Sequence, residues 1–221
     1  MFTGIIQAVG TLASLDRSGS DMRLRVNTGR LLLEDVRLGD SIATNGVCLT
    51  VVALPGDGYV ADVSVETLSL STLGSLRPGA GLNLEKALTL STPLGGHLVS
   101  GHIDGVGQVL NRQQDGRSIR FEIAAPHALA RYIAQKGSIC VDGVSLTVNA
   151  VNGSRFQLNI VPHTLEQTII STYRAGTRVN LEVDLIARYL ERLLLGDPAA
   201  HPGDEAGLTL ETLAHHGFHH D

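Results

Sequence analysis

Two hexamers concentrate the side chains most able to do chemistry. Gly46-Val47-Cys48-Leu49-Thr50-Val51 carries a thiol and a hydroxyl, and Gly143-Val144-Ser145-Leu146-Thr147-Val148 carries two hydroxyls at the matching places. Cys48 is either a buried structural thiol, the common fate of cysteine, or a thiol at the mouth of a site, able to bond a ligand or attack it. Ser41, Thr50, Ser145 and Thr147 have the same two readings, since threonine is also at home in strands. His102, between Gly101 and Ile103, is either a satisfied polar group or a base. Asp142 before Gly143 is a turn residue or an acid, and Lys136 before Gly137 reads as a solvated charge. No Ser-His-Asp or metal-ligand constellation is visible by spacing, and the glycine-rich nucleotide signatures are absent. Cys48 and Cys140 are expected to be free thiols in a reducing cytoplasm.

The hexamers belong to a longer repeat. The second follows the first by 97 residues, and the same offset maps Gly4 to Gly101, Gly10 to Gly107, Ser41 to Ser138 and Thr67-Leu68 to Thr164-Leu165. It also maps Asn83-Leu84-Glu85 onto Asn180-Leu181-Glu182. One register without net insertion over such a length marks an internal duplication, each copy a structural unit. The copies differ at polar positions: Cys48 against Ser145, Glu66 against His163, Asn45 against Asp142, and Ile5 against His102. Either two similar scaffolds hold two like ligands in unlike roles, or duplicated loops have drifted.

Local patterns supply the elements that would position these residues. In the first copy, strands are expected at 4–12, 22–26, 39–43, 48–53, 59–65 and 81–85, with turns at 16–21 and 55–58. A helical turn is expected at 31–36 and a short helix from Glu66 to Leu73. The second copy repeats this order, with its helical turn at 128–134. Six short strands with close turns predict an all-β fold in which each copy closes as a six-stranded antiparallel barrel. Residues 87–96, with Pro93 and Gly95-Gly96, form the linker.

The remainder has no counterpart in the first copy. Asp184 is expected to cap a helix that runs to Leu195 and stops at Gly196. Leu185, Ile186, Tyr189, Leu190, Leu193 and Leu194 fall on one apolar stripe, which points to self-association. A weaker helix is expected at 208–214, and the end, 215–221, is histidine-rich without a fixed metal geometry. The 221-residue chain has a formal net charge of −5 and no Lys/Arg cluster, which argues against nucleic acid as a partner. No apolar run approaches the length of a membrane span, and the N-terminus lacks a secretory pattern.

Several stretches in combination closely resemble the riboflavin synthase family of the alpha-chain, lumazine-binding type. They are Met1-Phe2-Thr3-Gly4-Ile5-Ile6, Asn45 to Val51, Glu66-Thr67-Leu68, Gly95-Gly96-His97-Leu98-Val99-Ser100-Gly101-His102, and Asp142 to Val148. Val47, where a second cysteine can occur, and His163, in place of an acid, depart from the pattern. The resemblance implies a lumazine-binding barrel at 1–96, a second at 97–184, and a trimerisation helix with a flexible tail at 185–221. It implies a homotrimer that converts two 6,7-dimethyl-8-ribityllumazine molecules into riboflavin and 5-amino-6-(ribitylamino)uracil by four-carbon transfer. No cofactor and no metal are implied, and the one protein partner implied beyond the trimer is lumazine synthase.

The resemblance also implies site residues. The first site would use Gly4-Ile5-Ile6, Cys48-Leu49-Thr50, and the run Asp62, Val63, Ser64, Val65, Glu66 and Thr67. The second would use Gly101-His102-Ile103, Ser145-Leu146-Thr147, and the run Ile160, Val161, Pro162, His163, Thr164 and Leu165, with Lys136 reaching a neighbouring subunit's ligand. Phe2, Ser41, Cys48, His102, Asp142, Ser145, Thr147 and Asp184 are expected to affect rate. Cys48 or Ser41 would support the nucleophile added to the acceptor, and His102 with Thr147 would assist proton transfer at the donor methyl. Two alternatives differ in class. One is a non-catalytic lumazine or flavin carrier of the antenna type. The other is a flavin reductase, which would need a nucleotide-binding domain beside the barrel.

Overall fold

A computed structural model describes residues 1–18 and 21–196. Twelve strands form two closed antiparallel barrels among these residues. The first contains β1 (Ala8–Ser18), β2 (Asp21–Asn27), β3 (Ser41–Thr44), β4 (Val47–Ala53), β5 (Gly58–Val63) and β6 (Gly81–Lys86). The second contains β7 (Gly105–Asp115), β8 (Ser118–Ala124), β9 (Ser138–Val141), β10 (Val144–Asn152), β11 (Arg155–Ile160) and β12 (Arg178–Val183). The ring order is β1-β2-β5-β4-β3-β6 in the first barrel, and the second barrel follows the same order with each strand replaced by its repeat mate. The bulge between Leu12 and Ser14 in β1 recurs between Val109 and Asn111 in β7. The bulge between Val51 and Ala53 in β4 recurs between Val148 and Ala150 in β10. Bulges bend a strand and let a short sheet close.

Each barrel is filled by one face of its strands. In β8, Ile119, Phe121 and Ile123 are buried while the residues between them are less so, the period-two pattern of a strand with one face in a core. Leu12, Leu24, Ile42, Tyr59 and Leu84 fill the first core, and Phe121, Ile139, Phe156, Leu181 and Tyr173 the second. Short helices α1 (Val65–Leu70) and α2 (Pro162–Gln167) follow β5 and β11. The Ser64 side chain accepts the Thr67 amide at 3.1 Å and caps α1, while Pro162 opens α2, where a missing amide hydrogen costs nothing.

Three expectations need correction. The strand expected at 4–12 begins only at Ala8, because the amides of Thr3 and Gly4 are held by a side chain, Glu85, instead of a ladder. The helical turn expected at 31–36 is absent: separate turns close from Val36 to Leu33 and from Asp40 to Arg37. Its counterpart in the second copy does form, as a 3₁₀ turn at His127–Tyr132. The turn expected at 16–21 is mostly strand, since β1 runs to Ser18 and β2 starts at Asp21.

The barrels meet around Gly46 and Gly143. A Cβ on Gly46 would sit 2.7 Å from the Gly143 nitrogen, and one on Gly143 would sit 2.9 Å from the Gly46 nitrogen. Both glycines have positive φ, +80° and +84°, so any side chain there is excluded twice, by space and by backbone conformation. Flanking them, Asn180 Nδ2 donates to the Asn45 carbonyl and Asn83 Nδ2 to the Asp142 carbonyl, each at 2.8 Å. These bonds interchange under the repeat offset, so the junction has a pseudo-two-fold relation.

Helix α3 (Leu185–Leu195) forms a separate unit from Ile186 onward. Its stripe is exposed in the single chain, with Leu193 at 76% and Leu194 at 86%. Gly196, at φ +58°, ends it as expected of a glycine just past a helix. The weaker helix expected at 208–214 and the histidine-rich end lie outside the described residues. Among the described residues no helix is long and apolar enough to cross a membrane.

Candidate active site

The two hexamers enter their barrels as β4 and β10, and each opens onto a cavity. The first cavity, about 190 Å³, is lined by Val47 and Cys48 of β4, by Glu66, Thr67 and Leu70 of α1, by Ser71, and by Gly101, His102 and Ile103. The second, about 220 Å³, is lined by Ser145, Leu146, Thr147 and Asn149 of β10, by Asn159 and Ile160 of β11, and by Val161 and Thr164. Cys48 and Ser145 are repeat mates, as are Thr67 and Thr164, so the two cavities share these two repeat positions and differ in the rest of their lining.

The segments leading into the barrels are exchanged. The Gly4 carbonyl accepts the Ser145 amide at 2.8 Å, and the Gly101 carbonyl accepts the Cys48 amide at 2.9 Å. Both approaches need glycine: a Cβ on Gly4 would lie 2.6 Å from Ser145 Cβ, and one on Gly101 2.6 Å from Cys48 Cβ. Ile6 packs against the second core and Ile103 against the first. The expected grouping is thereby corrected. Gly4-Ile5-Ile6 lies with Ser145, and Gly101-His102-Ile103 lies with Cys48, because each arm crosses the junction before its own barrel begins.

A buried carboxylate on the last strand of its own barrel holds each arm. Glu182, on β12, accepts from the Ser100 amide (2.6 Å) and hydroxyl (2.7 Å), and from the amides of Gly101 (2.9 Å) and His102 (3.0 Å). Glu85, on β6, accepts from the Thr3 amide (2.7 Å) and hydroxyl (2.6 Å) and from the Gly4 amide (2.9 Å). Burial raises both carboxyl pKa values, and these hydrogen bonds oppose that rise. Phe2, fully buried, pairs with Val99 through both backbone amides and lies among Ala43, Cys48 and Cys140. It ties the two arms together between the barrels.

His97 is a residue that spacing did not single out. Its Nδ1 is 2.7 Å from Ser145 Oγ, and its Nε2 is buried without a protein partner. Burial lowers its pKa, and the charge of Asp184 partly offsets this. Glu85 and Glu182 also escaped notice except as members of the repeat. Their roles rest on pairings 80 or more residues away in sequence.

Other expected site residues fall into distinct settings. Asp142 is buried, with one carboxylate oxygen accepting the Asn180 amide at 2.8 Å and the other bonded to the Tyr173 hydroxyl. Burial pushes its pKa up to about 7. It lines neither cavity, because its bonds turn it into the junction. Its mate Asn45 likewise accepts the Asn83 amide at 2.7 Å. Ser41 and Thr50 face each other across β3 and β4, outside the lining of the first cavity. Leu49 and Val63 are buried in the first core. Asp62 is paired with Arg23 at 2.7 Å on the surface, and this bond lowers its pKa. Ile5 is half exposed, Val65 opens α1, and Pro162, His163 and Leu165 ride on α2. Lys136 is exposed and left-handed, at φ +68°, where its mate Gly39 has φ +93°. His102 and Thr147 line different cavities and are not brought together within one chain. The cysteines are free, and no cluster of three His, Cys, Asp or Glu side chains suited to a metal ion occurs among the described residues.

A lumazine-binding domain model matches the chain twice, over residues 3–87 and 100–184. The chain is 49% identical to riboflavin synthase of Photobacterium phosphoreum over 219 residues, covering 99% of each sequence. It is 37% identical to riboflavin synthase of Bacillus subtilis over 218 residues, covering 99% of this chain and all of that one. Among solved structures it is similar to LumP complexed with riboflavin, with a TM-score of 0.77, 27% identity, and coverage of 83% of this chain and 99% of that one. A second LumP structure, complexed with 6,7-dimethyl-8-(1'-D-ribityl) lumazine, matches with a TM-score of 0.75 and 26% identity, again over 83% of this chain and 99% of that one.

Proposed function

The chain belongs to the riboflavin synthase family, and from that premise we propose that its two unequal cavities hold two lumazines in different roles. The reaction is the family's dismutation: one 6,7-dimethyl-8-ribityllumazine gives a four-carbon unit to another. The acceptor becomes riboflavin and the donor leaves as 5-amino-6-(ribitylamino)uracil. The observation that carries the reading is the pair of cavities that meet at one repeat position, one presenting the Cys48 thiol and the other the Ser145 hydroxyl.

The chemistry asks little of any single side chain. The C7 methyl of a lumazine is acidic because its anion delocalises into the ring, so a modest base suffices. Holding two rings face to face supplies much of the rest, since alignment can remove several kcal/mol from a barrier. His102 and Cys48 would act on the ligand of the first cavity, and Ser145 and Thr147 on that of the second. The functional unit is a homotrimer joined through the α3 stripes, in which the first barrel of one subunit faces the second barrel of its neighbour. That arrangement brings His102 of one chain toward Thr147 of another, and lets Lys136 reach across. The enzyme works in the cytoplasm without a cofactor, and it associates with lumazine synthase, the source of its substrate.

The test is incubation with 6,7-dimethyl-8-ribityllumazine alone, in the presence of a chelator. One riboflavin formed for every two lumazines consumed is the expected result. The likeness to LumP, solved with riboflavin and with lumazine, favours a carrier as the second reading. Tight binding with shifted fluorescence and no riboflavin would establish that reading instead.

A further inference from the structure

We propose that His97 is a positioning residue that aims the Ser145 hydroxyl into the second cavity. The inference rests on the reading of that cavity as a lumazine site. Ser145 lines the cavity, and a serine hydroxyl left alone rotates freely about its C–O bond. The 2.7 Å contact from His97 Nδ1 to Ser145 Oγ removes that freedom. Among the described residues Nδ1 makes the ring's one hydrogen bond to the protein, since Nε2 is buried without a partner there.

The ring is itself fixed. The His97 amide donates to the Thr3 carbonyl at 3.1 Å. The preceding residue, Gly96, is packed so closely that a Cβ there would lie 2.1 Å from the Thr3 oxygen and 2.9 Å from Ser145 Oγ. Thr3 in turn is held by Glu85. The backbone that carries the imidazole is therefore held beside Ser145. Burial keeps the ring neutral toward neutral pH, and Asp184 opposes that effect without overcoming it. A neutral ring can either accept the hydroxyl proton at Nδ1 or donate to the oxygen. In either tautomer the contact takes one of the hydroxyl's three hydrogen-bonding positions and leaves two for the cavity.

Two conservative variants separate the polar atoms of the ring. Asparagine places an amide where Nδ1 lies, and glutamine places it where Nε2 lies. The measurement is kcat and KM for riboflavin formation, with lumazine affinity by fluorescence titration, on the full chain. His97→Gln is expected to lower kcat/KM about tenfold, and His97→Asn to stay within about threefold of the parent, in keeping with one net hydrogen bond. Ser145→Ala is expected to absorb the effect, so that adding His97→Gln to it changes kcat/KM by less than about twofold. Equal losses for Asn and Gln, or multiplying losses for His97→Gln and Ser145→Ala, would overturn the proposal. A parent chain that makes no riboflavin would instead sink the synthase reading. The same cycle read on lumazine affinity would then decide the role of His97.

Discussion

Glu182 holds the backbone of His102. Its carboxylate, on the last strand of the second barrel, takes the His102 amide at 3.0 Å and the Gly101 amide at 2.9 Å, fixing a wall of the first cavity. Glu182→Gln replaces one acceptor oxygen with a donor and leaves a buried amide unpaired, at a cost of about 1–3 kcal/mol. The variant is expected to melt at lower temperature and to bind lumazine about tenfold more weakly in the first cavity, with the second little changed. Glu85→Gln should show the reverse preference. Fluorescence titration of the two sites checks this, and equal weakening of both by either variant would contradict it.

The Gly46–Gly143 contact sets how closely the barrels approach. Gly46→Ala adds a methyl 2.7 Å from a backbone nitrogen, at φ +80°. The left-handed backbone alone costs an alanine about 1–2 kcal/mol, and the clash must be relieved by moving two strands. A loss of several kcal/mol in urea unfolding is expected, with activity falling more than the folded fraction. Gly39→Ala, also at positive φ but with nothing within 4 Å, carries only the backbone cost and is the control.

Asp142 makes stability depend on pH. Its carboxyl pKa is raised from 3.8 to about 7 by burial. The folded chain therefore binds more protons than the unfolded chain between those values, and stability falls as pH rises through that window. The slope is at most about 1.4 kcal/mol per pH unit, and it flattens above the folded pKa. Asp142→Asn copies the first barrel, where Asn45 makes the same bond to Asn83, and should reduce the slope, leaving the part that Glu85 and Glu182 contribute through their own raised carboxyls. Denaturant unfolding across the window, for both chains, is the measurement. A parent chain whose stability rises with pH there would refute the assignment.

The exposed α3 stripe is expected to hold subunits together. Leu190→Glu with Leu193→Glu places charge on side chains that are 54% and 76% exposed in the single chain, so the barrels should fold unchanged. Sedimentation should show separated chains, and riboflavin formation should fall by more than about a hundredfold, since one chain alone would lack the facing barrel. Full activity in a monomer would remove the basis for a site shared between subunits.

The duplication, the two six-stranded barrels, and the helix ending at Gly196 were all legible in the sequence, because they follow from local pattern. Strand alternation, turn residues and a constant offset are properties of neighbours along the chain. The Cys48 and Ser145 hexamers were legible for the same reason. The partnership of arms and cavities was not. Gly4-Ile5-Ile6 precedes the first barrel in sequence and yet lies against Ser145, while Gly101 lies against Cys48. Nothing within either segment says on which side of the junction it packs; that depends on a glycine pair and a carboxylate far away in the chain. The same holds for His97, whose partner is 48 residues distant, and for Asp142, whose carboxylate is claimed by Tyr173 and Asn180 before it can reach a cavity. Sequence determined the scaffold and the chemical groups. Long-range packing decided which groups share a cavity and which are buried in the joint between the barrels.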